Sequence, residues 1–193
     1  MAPLKIGLTG GIAAGKSEAL AAFERLGAAT LSSDAVVHEL FASAELRDLV
    51  VGRWGPEVAP DGVVDRQRIG EIVFADREEL RWLEQQIHPR VAARMEEWMN
   101  GLPAGTGLAV VEVPLLFEVG RDAVFDTTVA VVTADPVRRG RAEARGHTLV
   151  DEREALQLSQ DEKAARAEHV IRNDGTLEDL EAALSALIAK LER

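Results

Sequence analysis

The chain has 193 residues, 47% of them hydrophobic, a formal net charge of −11 and no cysteine. That length supports one sizeable core with room for a subdomain, and the lack of cysteine excludes disulfides, thiolate chemistry and Cys-type zinc sites, with the cytoplasm as the expected compartment. The acidic balance argues against a nucleic-acid partner, which needs a basic face to displace counterions, and with neither a leader nor a membrane-length apolar run to read, no membrane partner is expected.

Residues 4–17, LKIGLTGGIAAGKS, read as a short apolar strand, a glycine-rich turn and the start of a helix continuing through EALAAFERL. Gly10, Gly15, Lys16 and Ser17 satisfy G-x-x-x-x-G-K-[ST], the phosphate-binding loop. Backbone N–H groups close around phosphate oxygens only where the chain bends tightly and carries little side-chain bulk. Gly10, Gly11, Ile12, Ala13, Ala14 and Gly15 are therefore the expected nucleotide cradle, continued by Lys16, Ser17 and Glu18. The helix dipole points at the anion, Lys16 reaches the outer phosphates, and Ser17 is the candidate Mg²⁺ ligand. ATP and Mg²⁺ are the expected cofactors.

Gly27 ends the first helix, and a second strand over residues 28–31 delivers Ser32, Ser33 and Asp34 to the sheet edge where ligands bind. Asp34 is a candidate base or metal partner, and equally a candidate N-cap of the helix AVVHELF; the two roles are compatible. Residues 43–105 carry no strand signal and predict a helical insertion, with breaks over residues 52–62 and near His88-Pro89. Trp54, Trp82 and Trp98 are spaced as core residues of helix faces. Asp65, Arg66 and His88 are the acceptor-side candidates of this region, although a lone histidine is more often structural.

LAVVEV, after the loop GLPAGTG, has the almost continuously apolar character of a strand buried on both faces of a parallel sheet, with PLLFEVG following. Glu112 lies inside that strand, where phosphate-loop ATPases usually close it with aspartate. TTVAVVT predicts the fourth strand, and the helix after it carries Arg138, Arg139, Arg141 and Arg145. Such a run is usually a solvated face; it also suits a lid whose arginines meet charge building on a transferring phosphoryl group. A break at Gly146-His147 and a helix over residues 151–166 complete the predicted lid. The last strand, residues 169–172, ends at Asn173, and the final helix follows Thr176 as N-cap.

Strands alternating with helices predict an α/β fold, a phosphate-loop NTPase-like five-stranded parallel sheet flanked by helices. The GTPase strings N-K-x-D and D-x-x-G are absent as switch motifs, which leaves a small kinase with a helical acceptor insertion and an arginine-bearing lid. GLTGGIAAGKS, Asp34 after strand two, WGPEVAPDGVVDRQRIGEIVF, LEQQIHPRV, VPLLFEVG, the pair Arg141 and Arg145, and AEHVIRNDGT together resemble the dephospho-coenzyme A kinase family over about residues 4–180.

The resemblance implies ATP-dependent phosphorylation of the ribose 3′-hydroxyl of dephospho-coenzyme A, the last step of coenzyme A synthesis. It implies a nucleotide-binding core (residues 1–42, 106–134 and 167–193), a helical substrate insertion (43–105) and a lid (135–166). Asp34 matches the family's proposed base, Lys16 and Ser17 its loop, and Arg141 and Arg145 its lid arginines. Gln157, Lys163 and Asn173 match further motif positions, Asn173 on the nucleotide side and Lys163 on the substrate side with Asp34, Asp65, Arg66, His88, Pro114 and Leu115. Ser32-Ser33-Asp34 stands where the family usually has Asp-Ala-Asp, and Glu18 where it has threonine. A monomer or weak homo-oligomer acting on a small molecule is expected. A nucleoside or nucleotide kinase and a non-catalytic ATP sensor are the rival readings.

Overall fold

The computed structural model describes residues 2–144 and 157–192. Five strands, β1 (Leu4–Gly10), β2 (Ala29–Ser32), β3 (Leu108–Glu112), β4 (Thr127–Val132) and β5 (His169–Arg172), form one parallel sheet in the order β2-β3-β1-β4-β5. The almost continuously apolar run of β3 has its cause here: every residue of β3 and of β4 is buried, Glu112, Thr127 and Thr128 included, as expected where both sheet faces are covered. β1 sits in the centre, with Ile6 opposite Val110 of β3 on one side and Thr127 of β4 on the other. Strand order reverses there, so the carboxyl end of β1 is the crevice position of an open parallel sheet.

Packing divides the chain into two compact units, Met1–Ser32 with Leu102–Arg193, and Ser33–Gly101. In the first, Ile6, Leu8, Val110, Val129 and Val131 meet α1 (Lys16–Arg25) through Ala19, Ala22 and Phe23, and α8 (Leu177–Leu191) through Leu180, Leu184 and Leu187. Thr176 begins α8 with a reciprocal capping box: its hydroxyl accepts from the Asp179 N–H at 3.2 Å, and its own N–H donates to the Asp179 carboxylate at 2.9 Å. At Gly7 the missing side chain matters, since a Cβ there would stand 2.8 Å from the Phe125 ring. Glu168, joining α7 (Gln160–Arg166) to β5, is held below the usual carboxylate range by hydrogen bonds from the Thr127 hydroxyl and the Thr128 N–H. α6 (Asp135–Ala144) follows β4.

The second unit consists of α2 (Ser33–Ala42), α3 (Ala44–Trp54), α4 (Arg66–Ala75) and α5 (Arg77–Asn100). It begins ten residues before the expected insertion because α2 packs against α3 and α5. Each later helix starts on an oxygen cap: Ser43 accepts from Leu46, Asp65 from Gln67 and Arg68, and Asp76 from Glu78. Pro89 does not start a helix as the sequence predicts but lies inside α5. Proline there removes the N–H that would serve the Gln85 carbonyl, and in the same turn Arg90 Nη1 donates to the Gln86 carbonyl at 2.7 Å. A second difference lies within the helix predicted over residues 151–166: residues 157–159 are not helical, and α7 begins at Gln160 behind a Ser159–Glu162 capping box.

The tryptophans are half-buried rather than enclosed. Trp54 and Trp82 meet edge to face at 5.1 Å, Arg53 lies over the Trp82 ring, and Glu79 accepts from Arg53 Nη2 at 2.7 Å and from Trp54 Nε1 at 2.8 Å. The Arg53 hydrogen bond, then that of Trp54, lowers the Glu79 carboxyl pKa from its usual 4.5. A depressed carboxyl pKa adds stability that is present above the unfolded value and lost as pH falls through the folded one. All three tryptophans belong to this unit, so their fluorescence reports on it selectively. Glu79→Gln should therefore lower the fluorescence-detected melting temperature at pH 7, and the gap to the unaltered protein should narrow below pH 4.5.

Candidate active site

The bend after β1 departs from ordinary backbone at Gly10 (φ 153°), Ala13 (φ 59°) and Gly15 (φ 93°). Left-handed geometry is what lets consecutive N–H groups face one point. Gly10 and Gly15 cannot carry a side chain for a further reason, because a Cβ would collide with the Val131 carbonyl oxygen at the first and the Asn173 side-chain amide at the second. Lys16 and Ser17 open α1, whose first N–H groups have no partner within the helix. The Lys16 ammonium donates to the carbonyls of Gly10 at 3.2 Å and Gly11 at 2.9 Å, which places its charge over the mouth of the bend. Ser17 is exposed and Glu18 half-buried in the same first turn. Together these groups can receive a chain of phosphates.

Beneath the bend, β4 and β5 supply polar support. Ala14 is fully buried, and its carbonyl oxygen accepts from Thr133 Oγ1 and from Asn173 Nδ2, both at 2.9 Å. Gln160 pairs with both backbone groups of Thr133, accepting from its N–H at 2.8 Å and donating to its carbonyl at 3.0 Å. Arg141 Nη1 donates to the Asn173 carbonyl at 3.0 Å. The expectation for Arg145 falls outside the described residues, as do most of the predicted lid helix and the Gly146-His147 break. A cleft of about 330 Å³ adjoins the loop, walled by Gly11, Ile12, Arg138, Gln157, Leu158 and Gln160. Thr133 and Gln160 are not singled out by the sequence, which places Thr133 only as the last residue of the predicted strand TTVAVVT.

Lys163 differs from its expectation as a substrate ligand. It is fully buried, with its ammonium donating to the Pro114 carbonyl at 2.6 Å and paired with Glu118 at 3.1 Å. Thr9 Oγ1 approaches the same carbonyl at 3.2 Å, and the Leu158 N–H donates to Glu118. Burial removes Lys163 from direct contact with a dissolved molecule; it holds the turn bearing half-buried Pro114 and Leu115.

The remaining acceptor-side candidates belong to the second unit. Asp34 lies in the first turn of α2, exposed, rather than at its N-cap as the alternative reading had it. Asp34, His38 and Phe41 are four and three residues apart and so share a stripe of that helix. Arg66 docks on this stripe, 2.7 Å from His38 Nδ1 and 5.4 Å from the Phe41 ring centroid. Asp65 spends its carboxylate on capping α4, and His88 is exposed on α5.

A glycine-rich loop leaving the central strand of a five-stranded parallel sheet defines a kinase-type phosphate-loop fold. The crystal structure of a shikimate kinase from Bacteroides thetaiotaomicron superposes with a TM-score of 0.57 over 98% of this chain and 99% of that one; at 17% identity, the likeness concerns the fold alone. The family model described as dephospho-CoA kinase matches residues 4–179. Dephospho-CoA kinases from Anaeromyxobacter dehalogenans and Symbiobacterium thermophilum are 41% and 40% identical, covering 96% and 94% of this chain and 91% and 78% of theirs. The crystal structure of TT1252 from Thermus thermophilus, 36% identical, superposes with a TM-score of 0.84 over 99% of both chains. That of the dephospho-CoA kinase from Campylobacter jejuni, 25% identical, gives 0.72 over 97% of this chain and 96% of that one. The chain belongs to the dephospho-CoA kinase family.

Removing one partner of a buried ion pair strands the other, so Lys163→Met should destabilise the protein by roughly 3 kcal/mol, measured by urea unfolding.

Proposed function

We propose that the protein transfers the γ-phosphoryl group of ATP to the ribose 3′-hydroxyl of dephospho-coenzyme A, giving coenzyme A and ADP. The observation that carries this reading is the bend of Gly10, Ala13 and Gly15 with the Lys16 ammonium over its mouth, in a chain of this family. The acceptor hydroxyl oxygen forms a bond to the γ-phosphorus while the bond from that phosphorus to the β–γ bridging oxygen breaks. Asp34 takes the hydroxyl proton, and its exposed carboxylate is suited to that task. Lys16 neutralises charge on the outer phosphates, and Arg141, with Arg145 as its companion in the lid, meets charge spreading over the transferring group. Asp65 supports this chemistry indirectly, by fixing the start of the helix that carries Arg66.

Mg²⁺ fits the chemistry of the residues present. It dehydrates reluctantly and is usually held by few protein oxygens with substrate phosphates and water, and no cluster of three or more acidic or histidine ligands exists among the described residues. Ser17 is the hydroxyl that would hold it, and the ion would lower the negative charge of the β- and γ-phosphates.

No helix among the described residues is long and apolar enough to cross a membrane. The net charge of −11 favours a small-molecule acceptor over nucleic acid, and the proposal takes the enzyme as cytoplasmic and as a monomer or weak homo-oligomer.

ADP release should be fastest with dephospho-coenzyme A when it is offered beside adenosine and nucleoside monophosphates; preference for one of the latter would replace this reading by a nucleotide-kinase one. Asp34→Ala should lower kcat on the order of 10²-fold or more, and Lys16→Ala should abolish turnover with an unchanged circular dichroism spectrum. Turnover of Asp34→Ala near that of the unaltered protein would remove Asp34 as the base.

A further inference from the structure

The Ala14–Gly15 peptide is held from behind by two buried donors. Thr133 is 1% exposed, Asn173 5% and Ala14 0%. A peptide unit is planar and trans, so its carbonyl and its N–H point in opposite directions. Fixing the Ala14 oxygen toward the interior therefore turns the Gly15 N–H toward the open side of the bend. Nothing in the loop itself enforces that choice: Gly15 tolerates either sign of φ, and rotation of this one peptide would aim an oxygen, rather than a donor, at an incoming phosphate.

We infer that Thr133 is a positioning residue for the triphosphate: its hydroxyl, backed by the Asn173 amide, locks the Ala14 carbonyl inward and so presents the Gly15 N–H to phosphate. The hydroxyl has a single proton. Its distances are 2.9 Å to the Ala14 oxygen and 3.2 Å to the Asn173 oxygen, and the shorter contact goes to the loop. Gln160 completes the device by gripping the backbone of Thr133 on both sides, at 2.8 and 3.0 Å, as a neighbouring strand would. The same side chain abuts the loop, since a Cβ built on Gly11 would lie 3.2 Å from the Gln160 Cβ. Residues from the ends of β4 and β5 and the start of α7 thus converge on one peptide of a loop more than a hundred positions away in sequence. Arg141 also reaches this group, through the Asn173 carbonyl.

The inference rests on the reading that this loop binds ATP, and its test separates the two. ATP affinity is measured by titration calorimetry on the full chain with Mg²⁺ and no acceptor, beside the melting temperature, for the unaltered protein, Thr133→Val and Thr133→Ser. Thr133→Val keeps the shape and loses the donor, so ATP should bind about fivefold to tenfold more weakly. Thr133→Ser keeps the donor and should stay within about twofold of the unaltered protein. In steady-state kinetics the loss in Thr133→Val should fall on KM for ATP more than on kcat.

A merely structural threonine predicts a lowered melting temperature with unchanged ATP affinity in the folded protein, and that result would overturn the inference, as would equal weakening in Thr133→Ser and Thr133→Val. If Thr133→Val does not fold, Gln160→Met carries the test: it releases the Thr133 backbone and should weaken ATP about threefold, with unchanged affinity counting against the inference. Absence of ATP binding by the unaltered chain would remove the nucleotide reading, and this inference with it.

Discussion

Turning a polypeptide so that several N–H groups face one anion forces the intervening carbonyls to the other side, where something must receive them. The bend between β1 and α1 meets both halves of that demand. Positive φ at Gly10, Ala13 and Gly15 gathers the donors, and the interior supplies hydroxyl and amide groups for the buried Ala14 carbonyl. A buried carbonyl without a partner costs on the order of 1–3 kcal/mol, a substantial share of the net stability of a domain this size. The cradle is therefore a property of the whole sheet edge, built from β4 and β5 as much as from the loop.

The same economy governs the buried charge. Lys163 places a cation inside the first unit, where its Coulombic partner Glu118 and the Pro114 carbonyl offset its desolvation. The second unit uses charge differently, at helix starts and around the Trp54, Trp82, Arg53 and Glu79 cluster. In a chain with net charge −11, many of the cations described here meet specific acceptors; near the phosphate loop, Lys16 donates to the Gly10 and Gly11 carbonyls, Arg141 to the Asn173 carbonyl at the end of β5, and Arg138 to the Asp135 carboxylate.

Much of this was readable from one dimension because the signals were local. The loop motif, the mostly apolar runs of β3 and β4, and Thr176 ahead of the final helix each need only neighbouring residues to be recognised. Pro89 misled for the same reason: a local rule placed a helix start there, whereas the long α5 continues through it. Asp34 likewise had a local alternative as a cap, yet α2 begins one residue earlier. Lys163 was placed on the substrate side by the resemblance, and its neighbours in sequence give no sign that the side chain is fully buried. Thr133 and Gln160 could not be found this way, since their importance comes from a contact with Ala14 and Gly11 that only the parallel sheet creates. Arg145 stands outside the described residues, so its place in the lid rests on the sequence reading and the resemblance.

The central claim is transfer between two molecules, and phosphorus resonance observes both at once. Incubated with ATP, Mg²⁺ and dephospho-coenzyme A, the protein should convert the γ-phosphate signal of ATP into a new phosphomonoester signal on the acceptor, with ADP formed in equal amount. Release of the γ-phosphate as inorganic phosphate, with the acceptor spectrum unchanged, would contradict the account.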